Sequence, residues 1–140
     1  MYSNQLKAYE SVDKKTMSGR DVEAAVLTKA ALKLKKCQDN WDAHDRDEKL
    51  ELALKFNQRI WSIFQGEIAR QDNPLPTQLK VNLLTLSAFI DRRIFETMAY
   101  PTPDKLTAII NINNNLAAGL RERPSSSDEQ EDRVAMVQSV

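Results

Sequence analysis

The feature that most constrains the fold is a pattern between positions 50 and 68, in which core-type residues recur every three or four positions. Its members are Leu50, Ala53, Leu54, Asn57, Ile60, Trp61, Phe64 and Ile68. An α-helix turns once in 3.6 residues, so residues at this spacing share one face. Asp45, Asp47 and Glu48 lie just before this pattern. Acidic side chains stabilise the first turn of a helix, so they mark its N-terminus. The pattern predicts a helix over about 45–70 that packs on other helices.

Two proline-containing segments, 73–76 and 101–103, separate this helix from two more. Proline cannot continue a helix interior but suits its first turn, so we expect helices over about 77–99 and 103–120. The first should be the most buried, because its apolar face is wide and contains Leu79, Leu83, Leu84, Leu86, Phe89, Ile90, Ile94, Phe95 and Met98. The second should bury Leu106, Ile109, Ile110, Asn113, Leu116 or Ala117, and Leu120. Its run of asparagines favours a helix poorly, so we expect it to depend on docking.

A further helix is predicted to begin near Ser18, which has an acidic residue, Asp21, three positions later, as in a capping box. Its apolar face contains Val22, Ala25, Val26, Ala30, Leu34 and Cys37, with Leu27 and Ala31 beside it. A short helix over 4–12 would precede it. Glycine is rare, at 3 of 140 residues, and good helix formers dominate. The sequence predicts an all-α fold, a four- to five-helix bundle over 1–121, followed by a disordered acidic tail over 122–140.

The charge balance argues against several classes of partner. The chain has 20 basic and 20 acidic residues, so no strong field attracts nucleic acid or anionic lipid. Lys29, Lys33, Lys35 and Lys36 form a basic run without interleaved aromatic residues, which is more typical of a solvated face than of an RNA site. No apolar run has the length of a signal peptide or a membrane span. We expect a cytoplasmic protein with no membrane partner, for which direct nucleic acid binding is unfavourable.

Residues suited to catalysis or metal binding are few. His44 is the only histidine and Cys37 the only cysteine, and no glycine-rich phosphate loop is present. His44 stands among acidic residues before a helix, as expected of a solvated helix entry. Cys37 lies on an apolar face, as expected of a core thiol. We therefore predict no enzymatic activity, no catalytic or metal site and no cofactor.

A family resemblance rests on residues distributed along most of the chain. They are Tyr9, Glu23-Ala24, Lys29-Ala30-Ala31, the run from Ala53 through Asn57 and Trp61 to Phe64, Asn73-Pro74-Leu75-Pro76, Leu79, Leu83, Leu86, Phe89 and Ile90. With these residues the chain resembles the FlaF family of flagellar biosynthesis regulators over about 4–120. Pro74 and the acidic tail depart from the family pattern. The resemblance implies a role in flagellin synthesis and secretion, through binding of flagellin before export, alongside the partner regulator FlbT.

These observations lead to a functional hypothesis and a rival. The hypothesis is a regulator or chaperone that captures an amphipathic helix of flagellin in an apolar groove. Candidate partner-binding residues are Trp41, Asn57, Trp61, Phe64, Ile109, Asn113 and Leu116, although Trp61 and Phe64 also suit a bundle core. The rival is a post-transcriptional regulator that acts on flagellin mRNA directly or through FlbT. The flagellin segment bound, the oligomeric state, the role of the tail and the level of control stay open.

Overall fold

The computed structural model describes residues 19–122, which form four α-helices and contain no strand. The helices are α1 (Gly19–Asp39), α2 (Arg46–Ala69), α3 (Thr77–Ala99) and α4 (Lys105–Arg121). The all-α bundle predicted from the sequence is confirmed, and the three later helices begin and end within two residues of their predicted bounds. The predicted helix over 4–12, the capping residue Ser18 and residues 123–140 of the predicted tail lie outside the described residues.

The end of α2 shows why the proline segments separate helices. Asn73 makes the turn after α2: its Nδ2 donates to the carbonyl oxygen of Glu67 at 3.0 Å, and its Oδ1 accepts from the backbone N–H of Leu75 at 3.0 Å. The Glu67 carbonyl also accepts from the backbone N–H of Arg70 at 3.3 Å, so one asparagine adds a second bond at the helix end and fixes the next turn. Pro76 then precedes α3 in an extended conformation.

Helices α1 and α4 run antiparallel and form the most extensive interface of the bundle. At one end, Nε2 of Gln38 donates to the carbonyl oxygen of Pro103 at 2.9 Å and to Oγ1 of Thr107 at 3.0 Å. At the other end, Nη2 of Arg121 donates to Oγ1 of Thr28 at 2.7 Å. Helix α2 packs against both α1 and α3, whereas α3 and α4 meet only sparsely.

The distribution of buried residues corrects one expectation. Helix α3 is not the most buried: it buries five residues, Leu79, Ser87, Ile90, Ile94 and Thr97. Phe95 and Met98 were assigned to its inner face, but their exposed fractions are 76% and 42%. The reason is that α3 is covered mainly by α2, whereas α1 is covered by both α2 and α4. Helix α1 accordingly buries eight apolar residues, with Ala24 in place of the expected Ala25.

Candidate functional site

Three fully buried polar side chains form a hydrogen-bonded chain through the core. The indole Nε1 of Trp61 donates to Oδ1 of Asn113 at 2.9 Å. Nδ2 of Asn113 donates to Oδ1 of Asn57 at 2.6 Å. Nδ2 of Asn57 then donates to the backbone carbonyl oxygens of Ala30 at 3.2 Å and Ala53 at 2.8 Å. The chain of bonds links α4 to α2 and α2 to α1.

The direction of this polar chain follows from its first member. An indole N–H can only donate, so the oxygen of the Asn113 amide must face Trp61 and its nitrogen must face Asn57. The same reasoning orients the Asn57 amide towards the two backbone carbonyls. Buried amides in a low-dielectric core destabilise the fold unless they are paired. The polar chain therefore fixes how α1, α2 and α4 sit relative to one another.

The predicted partner-binding residues occupy two different environments. Asn57, Trp61, Ile109 and Asn113 are fully buried, so in this arrangement they can affect a partner only through the position of the helices. The other three are partly exposed, namely Trp41, Phe64 and Leu116. Their role in partner binding stays a prediction.

The partly exposed aromatic residues are held by their neighbours. Phe64 lies edge-on to Trp61, with ring centroids 6.1 Å apart and an interplanar angle of 87°, a favoured geometry for aromatic pairs. Trp41 lies in the turn between α1 and α2, where the guanidinium of Arg46 stands 4.2 Å from its ring centroid. Both rings thus present a fixed surface at the edge of the core.

A groove of about 840 Å³ lies between α3 and α4, where these two helices diverge. Its apolar lining comes from Leu86 and Phe89 on α3 and from Ala108 and Ile112 on α4. Its polar lining contains Thr85, Arg93, Asp104, Thr107, Asn111 and Asn115. The asparagines of α4 are therefore divided between two roles, since Asn113 points into the core while Asn111 and Asn115 line the groove.

Arg93 gives the groove a polar feature that the sequence did not suggest. Its guanidinium lies over the ring of Phe89, 5.2 Å from the centroid. Its Nε is buried and has no hydrogen-bond acceptor within the described part of the chain, and the Glu96 carboxylate is 3.9 Å away. A buried donor without an acceptor destabilises the free protein. Because Nε itself has no exposed surface, a ligand in the groove would meet the positive charge of the partly exposed Arg93 side chain rather than this donor.

Comparison with models of known protein families identifies the family of this chain. The model of the flagellar protein FlaF family matches residues 5–120. The chain belongs to the FlaF family. It is therefore a flagellar protein, in a family that is not known as one of enzymes. No curated protein and no solved structure matches the chain at a significant level.

The residues of this FlaF-family protein that could have suggested catalysis do not line the groove. His44 is exposed in the turn between α1 and α2. Cys37 is buried in the core, as predicted, and burial raises the pKa of its thiol. Within residues 19–122, no three His, Cys, Asp or Glu side chains are grouped so that they could hold a metal ion. None of the helices in this range is long and apolar enough to cross a membrane.

Proposed function

We propose that this FlaF-family protein binds flagellin in the cytoplasm and acts as a chaperone or factor for its synthesis and secretion. The bound segment is an amphipathic helix of flagellin, and it occupies the groove between α3 and α4. The observation that carries the proposal is the apolar floor of this groove, formed by Leu86, Phe89 and Ile112, with the positive charge of Arg93 in its lining.

The dimensions of the groove suit a short helix. Its lining extends from Asp104, the residue before α4, to Asn115 on α4, which at 1.5 Å per residue is about 17 Å, or three helical turns. A volume of about 840 Å³ holds several side chains but not an entire helix. The flagellin helix would therefore lie across the opening and insert apolar side chains spaced by three, four and seven positions. Amide groups of Asn111 and Asn115 would meet polar groups at its edge.

The buried candidates support this role by positioning α4. Asn57, Trp61 and Asn113 hold α4 against α2 through hydrogen bonds, and Ile109 packs in the same core. These contacts hold α4, one wall of the groove, in place without touching the partner. Trp41, Phe64 and Leu116 are partly exposed. They would contact a second part of flagellin.

The proposal is tested by calorimetric titration of the full chain with monomeric flagellin at moderate salt. Saturable binding with a negative heat-capacity change is expected, because apolar surface is buried. Ala108→Glu places a charged side chain on the groove floor and should weaken binding at least tenfold. Ala88→Glu is the matched control, since Ala88 is exposed on α3 and does not line the groove.

Two results would contradict the groove assignment. One is equal flagellin affinity for Ala108→Glu and the native chain, with both shown to be folded by circular dichroism. The other is the absence of binding by the folded native chain. That second result would favour the rival function, control of flagellin mRNA directly or through FlbT.

A further inference from the structure

A row of lysines, away from the groove, forms a concentrated positive surface. Lys29, Lys33 and Lys36 share one face of α1, at spacings of four and three, and Lys49 of α2 lies near Lys33. We call these four residues the lysine ridge. The half-buried ring of Phe56 lies beneath it, 5.0 Å from Nζ of Lys33 and 5.9 Å from Nζ of Lys29.

The amines of the ridge repel one another. Burial lowers the pKa of Lys33, and the charges of Lys29, Lys36 and Lys49 lower it further. Within the described residues, no carboxylate lies within 4 Å of the amines of Lys33, Lys36 and Lys49. An anionic ligand would relieve this repulsion, and added salt would weaken its binding because Lys29, Lys36 and Lys49 are exposed to solvent.

Neighbouring residues show that this surface differs from an ordinary solvated face. Lys35, which points away from the ridge, is paired with Asp39 at 3.1 Å, and Lys55 is paired with Glu51 at 2.9 Å. Beside the ridge, Leu32 and Leu52 are 51% and 61% exposed. The surface therefore suits a ligand in which an acidic run adjoins apolar side chains.

The chain leaves α4 close to the start of α1. Nη1 of Arg20 donates to the carbonyl oxygen of Glu122 at 3.3 Å. Lys29 and Lys36 are nine and sixteen residues beyond Arg20, or about 14 and 24 Å along the helix at 1.5 Å per residue. The acidic residues between 128 and 132 follow Glu122 by six to ten positions, a reach of up to about 20–36 Å for an extended chain. The acidic run can therefore extend to the whole ridge.

We infer that the acidic run of the C-terminal segment, residues 128–132, docks on the lysine ridge of the same molecule. The run supplies four carboxylates, from Asp128, Glu129, Glu131 and Asp132, to a surface that holds the amines of Lys33, Lys36 and Lys49. The acidic run thereby competes with other polyanions for the ridge.

The first test uses the unmodified full chain and a water-soluble carbodiimide, which joins a carboxylate to an amine in contact with it. Mass spectrometry should find amide links from residues 128–132 to lysines of the ridge. These links should form within single molecules, be independent of dilution, and disappear in 0.5 M NaCl. Links spread equally over Lys80 and Lys105 would overturn the inference. So would links that form only between molecules in a mixture of isotopically light and heavy chains.

The second test measures binding of the full chain to heparin, a polyanion probe, at low salt. The variant Asp128→Asn/Glu129→Gln/Glu131→Gln/Asp132→Asn frees the ridge and should bind heparin at least fivefold more tightly than the native chain. Adding Lys33→Glu and Lys36→Glu should remove this gain, whereas the matched control Lys80→Glu on α3 should keep it. Unchanged heparin affinity in the neutral-tail variant would refute the docking. Neither test uses flagellin, so both are independent of the proposed function.

Discussion

Replacing Asn113 with alanine tests whether the buried polar chain holds the bundle together. Asn113 accepts a hydrogen bond from Trp61 and donates one to Asn57. Its removal leaves the indole N–H of Trp61 and Oδ1 of Asn57 buried without partners. Each such group costs about 1–3 kcal/mol, so Asn113→Ala should lower the free energy of unfolding by about 2–5 kcal/mol. The whole domain is expected to have only about 5–15 kcal/mol.

A matched substitution separates this loss from the change in helix propensity. Alanine forms helices better than asparagine by roughly 0.5 kcal/mol, which partly masks the effect at position 113. Asn114 is exposed on the same helix, so Asn114→Ala reports the propensity gain alone. The difference between the two variants gives the contribution of the buried hydrogen bonds. Urea unfolding followed by circular dichroism at 222 nm measures it.

A double-mutant cycle with Trp61→Phe tests the Trp61–Asn113 bond directly. Each single substitution breaks this bond, so the double variant should lose less free energy than the sum of the two losses. The expected difference is about 1–2 kcal/mol, within the range for residues in contact. Losses that add within about 0.5 kcal/mol would refute the reasoning, because the two side chains would then act independently.

Two further predictions concern the ionisable groups. Because burial raises the pKa of Cys37, its thiol should react with a disulfide reagent at pH 7.5 only slowly in the native chain and rapidly in denaturing urea; fast native labelling would contradict this. Desolvation also raises the pKa of Asp91 above its unfolded value, so the stability due to this group is present at acid pH and lost as pH rises through the folded pKa. Asp91→Asn should therefore raise the free energy of unfolding at pH 7, by at most about a few tenths of a kcal/mol after solvent screening, and leave it unchanged near pH 3.

The helices themselves could be predicted from the sequence because their signals are local. Residues with a spacing of three and four define α2, and prolines with Asn73 mark the turn before α3. Which helix covers which face is not a local property. The apolar stripe of α3 has the same period whether another helix covers it or solvent does. Leu86 and Phe89 pack against the core, as their place on the apolar face predicted, but they also line the groove, which the sequence did not show.

The sequence predicted that the residues of the polar chain lie on buried helix faces, but it did not predict the hydrogen bonds between them. Asn57 stood out within an apolar seam and Asn113 on an apolar face, which are unusual places for an amide. Their hydrogen bond joins residues 56 positions apart, and it exists only once α4 has docked. The sequence did not single out Arg93. Its neighbours Phe89 and Glu96 are on the same helix, at spacings that are common on helix surfaces. Its buried Nε is visible only when the packing of Phe89 is known.

The antiparallel packing of α1 on α4 has a consequence for the order in which the protein is made. Bonds that tie these helices join residues separated by 65 to 102 positions, so their formation requires closure of a long loop. On the ribosome, α1 emerges first and its principal partner emerges last. The eight apolar side chains that α1 buries lack their full cover until translation has passed Arg121. The core of this domain is thus completed only after its last helix has been released, and a chain that stops before residue 105 leaves its first helix half covered.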